Sequence, residues 1–159
     1  MPPQQLVELL NKTFTGFEEI CRQHQVEKIK TIGDAFMAVC GVPENDPRHA
    51  HRIASAALEI MESVKNLDHR LELRIGIHSG EVVAGVIGTS KFSYDLWGDT
   101  VNIASRLQSN GVIGEILCSA KFKTLVQDEF DFETHVCINI KGKGDLDCYL
   151  LKNPIVSDR

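Results

Sequence analysis

The sequence has no CxxC pair, no Cys/His ligand pattern, no surplus of basic residues and no apolar run long enough to cross a bilayer. Each absence removes a class of protein. The five cysteines (Cys21, Cys40, Cys118, Cys137 and Cys148) are odd in number and widely spaced, which argues against a disulfide framework and fits reduced thiols in an intracellular compartment. Lysine and arginine total 17 against 22 acids, a formal charge of −5. A nucleic-acid partner is therefore not expected, and any polyanionic ligand needs a local cluster of cations. No stretch approaches about 18 apolar residues, and the MPPQQ start lacks the basic segment and apolar core of a secretory signal. The expectation is a cytoplasmic, soluble domain, with membrane tethering of a longer parent left open. Repeats, low-complexity tracts and linkers are also missing, so 159 residues with 43% apolar content read as one domain over residues 1–159.

What is present alternates between two periods. Leu6, Val7, Leu10, Phe14, Phe17, Ile20 and Cys21 recur at steps of three and four, the mark of an amphipathic helix. Val26 to Ile32 and Ala35 to Cys40 are apolar strands around the turn Gly33-Asp34, giving a hairpin with a carboxylate at its tip. Asp46-Pro47 signals the start of a helix that ends near Asn66, with Ala50, Ile53, Ala54, Ala57, Leu58, Met61 and Val64 along one side. Leu71 to Ile77 alternates with Glu72 to His78, a half-buried strand that turns Arg74 away from the core. Strands are expected at 81–87, 115–119, 135–140 and 146–151, and a short helix at 121–127. The order predicts an α+β domain with an antiparallel sheet and helices packed on one face.

Residues Tyr94 to Arg106, YDLWGDTVNIASR, hold the densest chemistry. An aromatic strand end breaks at Gly98, Asp99 is a good N-cap residue, and a helix follows on which Asn102 and Arg106, four apart, share a face. A neutral donor and a permanent cation then project side by side. Asp95 is a lone carboxylate among apolar residues, which is costly without a partner or ligand. Asp34 suits an oxygen ligand to Mg²⁺ and equally a plain turn aspartate. Lys30 faces either the same cleft or solvent. The turn Lys141-Gly142-Lys143-Gly144 is small enough for phosphate to approach and carries two cations. His78 reads as a group titrating near neutrality or as a hydrogen-bonded structural histidine.

Together EKIKTIGD (27–34), LRIGIHSG (73–80), YDLWGDTVNIASR (94–106) and IKGKGD (140–145) resemble, in order and spacing, the catalytic domain of class III nucleotidyl cyclases. The resemblance runs from Leu6 to Leu151. It implies a ferredoxin-like α+β fold that pairs head to tail, as a homodimer or with a paralogous cyclase domain, so that each active site is shared by two protomers. By that resemblance Asp34 matches a metal-binding aspartate and Arg74 a phosphate-contacting arginine of one protomer. Lys30 and Asp95 match the pair that reads the purine from the other. Asn102 matches the residue orienting the ribose, Arg106 the one stabilising the pentavalent phosphorus, and Lys141 the lysine holding the terminal phosphates. The implied reaction makes 3′,5′-cyclic AMP and pyrophosphate from ATP, with two Mg²⁺ or Mn²⁺ ions per complete site.

The family's domain begins with a strand bearing a further metal-binding aspartate, whereas residues from Pro2 onward resemble its next helix. The expectation is therefore a cyclase domain lacking its N-terminal strand, weakly active or inactive alone. Guanylyl cyclase, or a non-catalytic nucleotide-binding or dimerisation module of the same fold, are the alternatives.

Overall fold

The computed structural model describes residues 2–67, 71–88, 93–140, 142 and 144–156. Helix α1 spans Pro3–Gln23, with a proline at the first helical position, where its missing N–H has no intrahelical role. Its apolar stripe buries Phe17 and Cys21. Strands β1 (Glu27–Ile32) and β2 (Ala35–Val39) form the expected hairpin, pairing Ile32 with Ala35 across a turn in which Gly33 takes a φ of 57°.

Helix α2 (His49–Lys65) starts later than Asp46-Pro47 suggests. Asp46 works one turn earlier: its carboxylate accepts from the Arg48 backbone N–H and from Arg52 Nε, each at 2.8 Å. Strand β3 is only Ile75–Ile77, shorter than the alternation from Leu71 implies. Leu73 instead bonds through its carbonyl to the Gly114 N–H at 2.8 Å, so this stretch is held by a loop rather than a ladder.

Strands β4 (Val83–Ile87) and β5 (Ser93–Trp97) make a second antiparallel ribbon, and helix α3 (Asp99–Ser109) follows at once. Strand β6 (Ile116–Ser119), helix α4 (Ala120–Val126) and the long strands β7 (Phe130–Ile140) and β8 (Gly144–Pro154) complete the chain. A four-stranded sheet runs β3-β6-β8-β7, antiparallel except for the parallel pair β3–β6. Strands β7 and β8 outrun their sequence signal because polar residues fill their outer ends and register shifts interrupt β7.

Helices cover both faces of this sheet, not one. Ile116 and Cys118 of β6 pack with Ala54, Ala57 and Met61 of α2 and with Phe122 and Val126 of α4. Leu117, pointing the other way, packs with Leu107 of α3 and with Ile138, Cys148 and Leu150. A strand buried on both sides shows no alternation, so its sequence could not reveal the second layer. A third cluster joins Phe17, Cys21, Ala56, Ile60 and Val64 to Phe36 of the first hairpin, where Phe14, Phe17 and Phe36 stack with centroids 5.7–6.0 Å apart. All five cysteines are unpaired, as expected. Among the described residues no helix is long and apolar enough to cross a membrane.

Candidate active site

The step from β5 into α3 sets the site. Gly98, at a φ of 129°, occupies the N-cap position, and Asp99 is the first helical residue rather than the cap. A carboxylate in the first turn still complements the helix dipole. The turn is braced by Thr100, whose hydroxyl donates to the Glu81 carbonyl at 2.7 Å. From there Leu107 anchors α3 on the sheet, and a neighbouring face presents Asn102 and Arg106, both exposed, one turn apart.

Gly76 fixes how closely α3 lies on β3. A Cβ there would stand 2.2 Å from the Gln108 backbone nitrogen and 2.6 Å from the Ala104 carbonyl oxygen. Only glycine permits that approach.

Lys30 of β1 and Asp95 of β5 meet, although 65 residues separate them. Lys30 Nζ donates to Asp95 Oδ2 at 2.7 Å, and the Leu96 backbone N–H donates to Oδ1 at 2.8 Å. The Asp95 side chain is 13% exposed and that of Lys30 40%. The Lys30 hydrogen bond, then the Leu96 N–H, hold the Asp95 carboxyl below the usual carboxylate range. It is therefore an ionised acceptor, fixed in direction, beside a cation with one side open to solvent.

The other expected residues lie apart from this pair. Arg74 is exposed and donates from Nη1 to the Ser109 carbonyl at 3.3 Å, at the C-terminal end of α3. Asp34 is exposed at the β1–β2 tip. An exposed carboxylate on a tight turn suits a hard dication whose remaining ligands are phosphate oxygens and water, so the donor chemistry fits Mg²⁺ or Mn²⁺. Lys141 lies outside the described residues. His78 is hydrogen-bonded, its Nδ1 2.6 Å from the buried Ser119 hydroxyl, which also caps α4 by accepting from the Phe122 N–H. Burial, and secondarily the Lys121 charge, push its pKa down.

One group was not foreseen. His51, Asp128 and Glu129 bring three potential metal-ligand atoms within 4.8 Å of one another, in a cleft of about 700 Å³ that none of Lys30, Asp34, Arg74, Asp95, Asn102 or Arg106 lines. The two acids are adjacent in sequence, but the histidine is 77 residues away, and no local spacing links them.

Residues 1–153 match the adenylate and guanylate cyclase catalytic domain family, and the chain belongs to that family. The germination-specific adenylate cyclase of Dictyostelium discoideum is 40% identical over 98% of this chain and 19% of its own length. A receptor-type guanylate cyclase of Drosophila melanogaster is 47% identical over 91% of the chain and 10% of its own length. The chain thus spans a fifth or less of these two relatives. Among solved structures, the guanylate cyclase domain of RhGC from Catenaria anguillulae in complex with GTP superposes with a TM-score of 0.92 at 33% identity, covering 98% of this chain and 87% of that one. The expected class III cyclase fold is borne out.

Proposed function

We propose that this domain is an adenylyl cyclase module that converts ATP to 3′,5′-cyclic AMP and pyrophosphate, its complete site shared between two copies or with a paralogous domain. The observation that carries the reading is the Lys30–Asp95 pair. Adenine offers an acceptor at N1 and donors on its 6-amino group, and guanine offers the reverse. A lysine that donates beside a carboxylate that only accepts therefore matches adenine. The lowered pKa of Asp95 keeps it an acceptor at neutral pH.

The remaining roles follow the chemistry of each side chain. Asn102 has an amide that donates and accepts, suited to holding the ribose with its 3′-oxygen in line with the α-phosphorus. As that oxygen attacks and the bond to the pyrophosphate breaks, negative charge grows on the α-phosphate, and Arg106 is the permanent cation one helical turn away. Lys141 and Arg74 are the cations for the phosphate tail. Asp34 would hold a divalent ion, which when bound would supply Lewis-acid activation of the 3′-oxygen and charge neutralisation at the leaving pyrophosphate.

Two features support a shared site. Asp34, Asn102 and Arg106 all face solvent in the single chain. Val83, Ile87 and Trp97 are also exposed on one face of the β4–β5 ribbon, with Val83 opposite Trp97, an apolar surface suited to a second copy.

A guanylyl cyclase is the second reading, favoured by the 47% identity to a guanylate cyclase. The two are separated by initial rates of the full-length protein with ATP and GTP at saturating Mg²⁺. The proposal expects ATP to be preferred by about tenfold or more in kcat/KM, the scale that a few pocket contacts supply. Equal use of both, or a preference for GTP, overturns it.

A further inference from the structure

We infer that His51, Asp128 and Glu129 form a second metal site, for a transition-metal dication of the Zn²⁺ type, separate from Asp34. His51, in the first turn of α2, has a side chain only 13% exposed, and its Nε2 lies 2.9 Å from Glu129 Oε2 and 3.2 Å from Asp128 Oδ1. Metal–ligand bonds of about 2.0–2.1 Å in a tetrahedral arrangement set neighbouring donor atoms about 3.3 Å apart. Both histidine–carboxylate distances are already near that spacing. The Asp128 side chain is 68% exposed and free to close the third edge.

A ring proton placed between these groups would serve them badly. One Nε2–H cannot point at two carboxylates at once. Glu129 Oε2 is buried with no aligned hydrogen bond, although it lies within ion-pair distance of Arg48 and His51. A dication in place of that proton bonds to the imidazole and both carboxylates together.

The surroundings suit such an ion. Glu129 is pinned by its backbone, its N–H donating to the Val126 carbonyl at 3.0 Å and its carbonyl accepting from Ile155 N–H at 2.8 Å. Arg48 donates to Glu129 Oε1 at 3.2 Å, the outer contact that orients a ligating carboxylate. With neutral His51, the two carboxylates and Arg48 sum to one negative charge. The cleft leaves room for a water as fourth ligand. A nitrogen among the donors favours Zn²⁺ and its neighbours over Mg²⁺, which prefers an all-oxygen octahedron. Bound there, the ion joins α2 to the segment between α4 and β7.

The test is Zn²⁺ titration of the full-length protein against a chromophoric chelator in excess Mg²⁺, with X-ray absorption at the zinc edge. The wild type is expected to hold one Zn²⁺ per chain in a nitrogen and oxygen shell that includes one imidazole. His51→Gln, Glu129→Gln and Asp128→Asn should each weaken binding by about tenfold or more, while Asp34→Ala leaves it unchanged. Asp128 is exposed enough that its variant should fold as the wild type does, so its result stands even if the other two lose structure. No retained zinc, a sulfur shell from the cysteines, or wild-type affinity in Asp128→Asn overturns the inference.

Discussion

Asp95 and His78 show how single side chains are set for their tasks. Asp95 is nearly buried, yet it is held charged by a lysine and a backbone N–H, which offset the cost of removing a carboxylate from water. The sequence shows why it needs a partner, but the partner's identity depends on β1 and β5 coming together. His78 is the opposite case, a histidine kept neutral by burial. Its pKa is lowered from 6.5, so below about 6.5 the unfolded chain binds a proton that the folded chain resists. Stability should therefore fall as the pH drops from about 7.5 towards 5.5, so that the unfolding free energy has a positive slope against pH. Urea unfolding midpoints at the two pH values, compared between wild type and His78→Gln, check this. The variant should lose part of the slope, and an unchanged slope would mean that His78 is not the group responsible.

The decisive element is α3, and its placement depends on an absent side chain. Asn102 and Arg106 could be assigned to one helical face from their spacing alone. That this helix lies directly on β3 at Gly76 could not be read, because one glycine within an alternating strand looks like any other. The same limit explains the second helical layer, since β6 is apolar on both faces, and the late start of α2, where the Asp46 carboxylate braces the turn before the helix. Gly76→Ala would force the α3 backbone to move, because both atoms the new methyl meets belong to the main chain. A loss of roughly 1–3 kcal/mol is expected from such overpacking, together with a fall in kcat as Asn102 and Arg106 shift. Denaturant unfolding and single-substrate kinetics on the same sample test both parts. Full stability and full activity in this variant would contradict the close packing.

For the whole molecule, the question is how residues that lie apart in one chain can form a single site. Lys30 and Asp95 come together, and Asn102 and Arg106 share a face, while Arg74 reaches the far end of α3 and Asp34 stands at a separate tip. The proposed head-to-tail pair supplies Asp34 from one copy and Arg106 from the other. Asp34→Ala and Arg106→Ala should then each be nearly inactive alone, yet recover activity when mixed, because one of the two sites in the heterodimer is intact. Mixtures proven to exchange subunits but still inactive would argue for a site within one chain. The seven proposed site residues were read as a set of separated motifs whose joint occurrence outweighs the ambiguity of each one. Its division between copies comes from the family resemblance and not from any spacing. The central claim, that Lys30 and Asp95 select adenine, is tested most directly by the double exchange Lys30→Glu with Asp95→Cys in the full-length protein. The measurement is the ratio of kcat/KM for ATP to that for GTP, before and after the exchange. The account predicts that the ratio moves towards GTP by about 1–3 kcal/mol, the usual worth of such pocket contacts. An unchanged ratio would contradict it.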